Sequence, residues 1–143
     1  MPILTKRWND PGSPEDGFRV LICRYRPRGV KKEDEPWNAF CPALAPSKEL
    51  HAAAYGKDCE KISFDEYSRA FREEMTPRGY WINGFAERVR RGETVTLLCS
   101  SACTDEARCH RNIVKELILD AAFPKPTSPQ AAVRRRRAGS SCG

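Results

Sequence analysis

The reactive side chains of this sequence gather in one stretch, Cys99-Ser100-Ser101-Ala102-Cys103-Thr104-Asp105-Glu106-Ala107-Arg108-Cys109-His110-Arg111. One chemistry it could support is metal binding. Cys99-x3-Cys103 falls within the usual gap between zinc ligands, and Cys109 with His110 would complete four. Against this, neighbouring residues on one helix diverge by about 100°, so Cys109 and His110 on a shared helix are not expected to hold one ion. No resident metal is therefore expected. A second chemistry is anion recognition. Guanidinium groups bind phosphate bidentately, and Arg24, Arg26 and Arg28 form a second basic loop upstream. If the strands before the two loops are parallel neighbours, Arg24, Arg26, Arg28, Cys99, Cys109, His110 and Arg111 meet at one sheet edge. The ligand would be a phosphate-bearing small molecule or a nucleic-acid end.

A third chemistry is nucleophilic. Cys103-x4-Arg108, following a strand and entering a helix, resembles the anion-cradling loop of rhodanese-type sulfurtransferases, where N–H groups and arginine lower a thiol's pKa. Such an enzyme, rhodanese-like or phosphatase-like, would use Cys99 or Cys103, with His110 to move a proton. Asp105 and Glu106 in the first helical turn oppose both a thiolate and a bound anion.

Each of these residues also has a plainer role. A cysteine at a strand end packs as a small hydrophobe. His110 lies four residues before Val114 and seven before Leu117, which aims its Cβ at an apolar face and suits a hydrogen-bonded structural histidine. Arg111 flanks that face and can reach solvent or a pocket. Arg24, Arg26 and Arg28 can pair with Glu33, Asp34 and Glu35.

The elements that must position this stretch are legible from pattern. Val20-Leu21-Ile22-Cys23 is a continuous apolar run, as in a strand covered on both faces, and Thr94–Cys99 reads as a second buried strand. Ile3–Arg7 reads as a short strand before turn-rich residues 10–17, and Asn38–Pro46 as irregular connection. Ser47 caps a helix through Tyr55 that Gly56 closes. Ser63-Phe64-Asp65-Glu66 fits a capping box opening a helix with Phe64, Tyr67, Phe71 and Met75 at helical spacing. A helix follows over about 80–91, and a last one over Asp105–Phe123 with Thr104 as N-cap. Buried strands separated by helices imply parallel pairing and right-handed crossovers, hence a small α/β domain with a short, mainly parallel sheet over residues 1–123.

Residues 124–143 carry five bases, Lys125 and Arg134–Arg137, and no acid. Without them the chain's 25 bases fall to 20, against 19 acids, so the net charge of +6 belongs mainly to this segment. Its prolines, serines and arginines predict a disordered tail, able to tether nucleic acid. No apolar run is long enough for a signal peptide or a membrane span, which leads us to expect a cytoplasmic protein without membrane partners. The seven cysteines, odd in number, fit free thiols in a reducing compartment.

The segment Val20-Leu21-Ile22-Cys23-Arg24-Tyr25-Arg26-Pro27-Arg28-Gly29, the run Leu44-Ala45-Pro46-Ser47-Lys48-Glu49-Leu50 and the triplet Cys109-His110-Arg111 resemble, in that order, the DUF488 family of mainly prokaryotic proteins. The resemblance covers about residues 2–122. It implies a compact α/β domain and brings no assigned activity. Arg24-Tyr25-Arg26 stands where many relatives have a sequence closer to Arg-Leu-Trp.

Overall fold

The sheet is built from the short apolar runs, and the computed structural model describes residues 2–56, 60–100 and 108–124 of the chain. Among these, β1 (Ile3–Arg7), β2 (Phe18–Leu21), β3 (Ala39–Phe40) and β4 (Val95–Cys99) lie in the order β1-β4-β2-β3 with every neighbouring pair parallel. Strand β4 sits between β1 and β2 and is buried along its whole length. Its register sets Val95 beside Ile3 and Phe18, and Leu98 beside Lys6 and Leu21.

Parallel strands need long connections, and the helices supply them. Helices α1 (Lys48–Tyr55), α2 (Phe64–Met75) and α3 (Gly79–Arg90) carry the chain from β3 to β4, and α4 (His110–Ala122) follows β4. Their apolar faces close on one side of the sheet, where Ile3, Val20, Val95 and Leu97 pack with Phe71, Ile82, Ala86, Val114 and Ile118. Alternation along the strands sends Leu21 and Leu98 to the opposite side. There they meet Trp37, with Trp8, Val30 and Phe40 packed around them. Both faces of β2 and β4 are thus covered, in keeping with the apolar run Val20–Cys23. Burying each such Leu or Phe contributes roughly 1.5–3 kcal/mol.

The capping serines act as their positions suggest, although Ser63 and Glu66 form only the serine arm of the expected capping box. Ser47 Oγ accepts the Leu50 N–H at 3.1 Å, Gly56 ends α1 at φ 72°, and Ser63 Oγ accepts the Glu66 N–H at 3.1 Å. Two sequence expectations need correction. The stretch read as irregular contains β3, whose two residues pair with Val20 and Leu21. It is too short to show a period and is held by Asn38 N–H to Arg19 O at 2.7 Å and Cys41 N–H to Leu21 O at 2.8 Å.

The last helix does not run from Asp105. It starts at His110, because Cys109 is extended (φ −117°, ψ 145°) and stands outside the helix as its N-cap. Thr104, Asp105 and Glu106 lie outside the described residues, as do Cys103 and the basic tail with Lys125 and Arg134–Arg137. Among the described residues, no helix is long and apolar enough to cross a membrane.

Candidate functional site

Because β2 and β4 are parallel neighbours, the chain leaves both at the same edge. Ile22 N–H extends the ladder to Leu98 O at 3.0 Å, and Trp8 N–H reaches Cys99 O at 2.8 Å. Beyond them opens a cleft of about 800 Å³, lined from β2's loop, the start of α1, the α1–α2 connection, α2 and the entrance to α4. The carboxyl edge of a parallel sheet is where open α/β folds bind ligands, and the volume suits a small molecule.

Three buried side chains form the floor. Cys109 Sγ lies 3.3 Å from Cys99 Sγ, and His110 Nδ1 lies 3.8 Å from each sulfur. The other imidazole nitrogen, Nε2, is 2.7 Å from the carbonyl oxygen of Ile22. A carbonyl only accepts, so Nε2 carries a proton, and the ring turns Nδ1 towards the two sulfurs. The edge of the Phe71 ring packs on the imidazole, at 5.6 Å between centroids, and fixes its plane. Both plainer expectations for His110 are therefore met: it is buried and hydrogen-bonded. Its second nitrogen nevertheless faces reactive groups.

The walls are aromatic. Tyr25, Tyr55, Phe64 and Tyr67 line the cleft, with Phe64 and Tyr67 stacked at 5.9 Å and His51 against Tyr55 at 4.8 Å. Its cations are Arg24, Lys48, Lys61 and Arg108, and among the described residues that line it none is an aspartate or glutamate. Arg24 lies over the Tyr25 ring, 5.7 Å from its centroid, with Nε 3.4 Å from the phenol oxygen. Among the described residues, Lys48 and Lys61 form no ion pair.

Of the residues singled out from sequence, Arg24, Cys99, Cys109 and His110 share this cleft. Arg26 does not line it. Its guanidinium pairs with Glu35 at 3.0 Å and lies over the Phe40 ring. Arg28 is exposed and also outside the lining. Arg111 is buried away from the lining. There the Arg7 backbone N–H (2.8 Å) outweighs desolvation and holds Asp10 below the usual carboxylate range, helped by the Arg7 guanidinium and the Arg111 charge. Cys103 cannot be placed, lying outside the described residues. Cys41 is an ordinary core thiol whose pKa burial pushes up.

Sequence reasoning missed Lys48, His51, Lys61 and the aromatic wall. Lys48 was within reach, since it follows the N-cap Ser47. Lys61 carries no local signal, because it joins the lining of the cleft only through the folding of the segment before α2. The three segments that suggested a family likeness turn out to be neighbours: Arg24 and Tyr25, Pro46 and Lys48, and Cys109 and His110 all line the same cleft.

Comparison with known proteins agrees with that likeness. The family model DUF488-N3a, described as the active DUF488-N3 subclade, matches residues 3–122. The uncharacterized protein YeaO of Escherichia coli is 31% identical over 106 residues, spanning 74% of this chain and 89% of YeaO. The uncharacterized proteins Rv3073c of Mycobacterium tuberculosis and Mb3100c of Mycobacterium bovis are each 40% identical over 62 residues, 43% of this chain and 50% of theirs. No solved structure matches the chain.

Proposed function

This chain belongs to the DUF488-N3a family, and from that premise we propose that it binds a phosphate-bearing small molecule in the cleft at the carboxyl edge of β2 and β4. The observation that carries this reading is the charge of the lining: four cationic side chains and, among the described residues, no carboxylate. A phosphate group accepts several charge-assisted hydrogen bonds at once, and such bonds are roughly twice as strong as neutral ones. Tyr25, Tyr55 and Tyr67 offer flat apolar surface to the rest of the ligand, which favours a molecule with a planar or apolar part. The phosphate sits at the basic rim, and the remainder reaches towards Cys99, Cys109 and His110.

The test is equilibrium binding of three probes: inorganic phosphate, a nucleoside monophosphate and a 5′-phosphorylated oligonucleotide. Arg24→Glu and Lys61→Glu should each weaken binding by about tenfold or more, the loss of one charge-assisted contact. Arg26→Ala, already committed to Glu35 outside the cleft, should bind as the parent does. Equal losses in Arg26→Ala and Lys61→Glu would show that general charge, not the cleft, attracts the anion. The oligonucleotide arm separates a free ligand from a nucleic-acid end: a small-molecule site prefers the mononucleotide and is indifferent to deletion of residues 124–143.

A further inference from the structure

We infer that Cys99, Cys109 and His110 form a binding site for one zinc ion, independent of the basic rim and opening into the cleft. Cys99 Sγ, Cys109 Sγ and His110 Nδ1 all lie within 4.8 Å of one another, and all three residues are buried. Two thiolates and an imidazole are the donor set that favours zinc over the oxygen-seeking magnesium and calcium. Tetrahedral zinc bonds of the usual lengths place two sulfurs about 3.8 Å apart and a sulfur and a nitrogen about 3.6 Å apart. The sulfurs here, at 3.3 Å, must open by about half an ångström, and each sulfur–nitrogen distance of 3.8 Å must close by less.

The surroundings are those a ligand histidine needs. Its Nε2–H is anchored on the Ile22 carbonyl at 2.7 Å, which fixes the tautomer and aims Nδ1 at the sulfurs. Charge also balances. On binding, each thiol gives up its proton to solvent, and two thiolates neutralise the divalent ion while the imidazole stays neutral. A simple thiol–imidazole catalytic pair would set one sulfur closest to the base, whereas here Nδ1 is equidistant from two sulfurs in contact. The extended backbone of Cys109 makes this possible. Adjacent residues inside one helix would diverge, but Cys109 precedes α4 and its thiol turns to the same point as the His110 ring. All three ligands line the cleft, so the ion would be reachable from it.

The full-length protein, kept reduced without thiol reagents, is titrated with Co²⁺ and then Zn²⁺. One equivalent of cobalt should give thiolate-to-metal charge-transfer absorption, abolished by one equivalent of zinc. Cys99→Ser and Cys109→Ser should each roughly halve that absorption and weaken metal affinity by at least about 100-fold, as expected for loss of a direct ligand. Cys41→Ala should leave it intact. Absence of the band, or a band unchanged in both serine variants, overturns the site. Should a serine variant fail to fold, the unmodified chain still decides: zinc must slow alkylation of Cys99 and Cys109 at least tenfold, as read by peptide mass spectrometry. Equal rates with and without zinc overturn it as well.

Discussion

Two buried polar clusters flank β4, and they differ in their surroundings. At its beginning, Asp16 is 1% exposed and ringed by protein. Lys6 Nζ lies at 2.8 Å, Arg19 Nε at 3.5 Å, and the Ser13 N–H donates to its carboxylate at 3.1 Å. The Asp16 carbonyl in turn accepts the Thr96 hydroxyl at 2.7 Å. At its end, Cys99, Cys109 and His110 are nearly as buried, but their donor atoms converge on one point and line an open cleft. Burial of polar groups is therefore not itself a sign of function. The charge of Asp16 is neutralised from within the protein, whereas the zinc site we infer would balance its thiolates with an ion reached through the cleft.

The closed cluster should be the more costly to disturb. Gly17 follows Asp16 at φ 62°, ψ −129°, and an added methyl would run into the Thr94 carbonyl. Gly17→Ala therefore combines a backbone conformation that side chains rarely adopt with a clash against main chain. We expect a loss of about 3–4 kcal/mol in urea unfolding. A loss below about 1 kcal/mol would mean that this turn is not rigid, and the contrast between the two ends of β4 would fail.

Asp16→Asn comes next, at about 2–3 kcal/mol near neutral pH, since Lys6 and Arg19 keep their charges without a carboxylate. Burial alone would raise the Asp16 pKa, but Lys6, the Ser13 N–H and Arg19 prevail and lower it. A depressed folded-state value means that its stabilisation is full above the unfolded value of about 3.9 and is lost as pH falls through the folded value. The gap between parent and Asp16→Asn should thus be widest above pH ~5 and narrow steadily below pH ~4. Unfolding curves measured across that range decide it, and a gap constant with pH would remove Asp16 from the account.

How far the sequence disclosed these clusters follows from the range of the interactions. Strand β2 showed through the apolar run Val20–Cys23, and β4 through its mostly apolar residues, because both of their faces are covered. The caps at Ser47 and Ser63 were legible because a cap is a local hydrogen bond. Strand β3 was not, since two residues carry no period and their pairing comes wholly from β2. The edge shared by Arg24 and Cys99 was deducible from parallel pairing, whereas the diversion of Arg26 depends on where Glu35 and Phe40 arrive after folding. The Cys–His geometry was hidden for a sharper reason. A helix read through residues 105–123 separates Cys109 from His110, and only the extended backbone at Cys109 brings their side chains together.

That backbone supplies the smallest expected effect. Cys109 is the N-cap of α4, and its side chain makes no capping hydrogen bond. Serine in the same extended conformation is a favoured N-cap, worth about 1 kcal/mol. Burying a hydroxyl in place of a thiol costs a similar amount. Cys109→Ser should therefore stay within about 1 kcal/mol of the parent in urea unfolding, even as it removes one of the two sulfurs at the floor. The comparison turns on that pairing of outcomes. If Cys109→Ser costs as much as Asp16→Asn, the thiol is a structural group like the carboxylate at the other end of β4. If stability holds while cobalt binding falls, the sulfur is there for a ligand, and the fold does not need it.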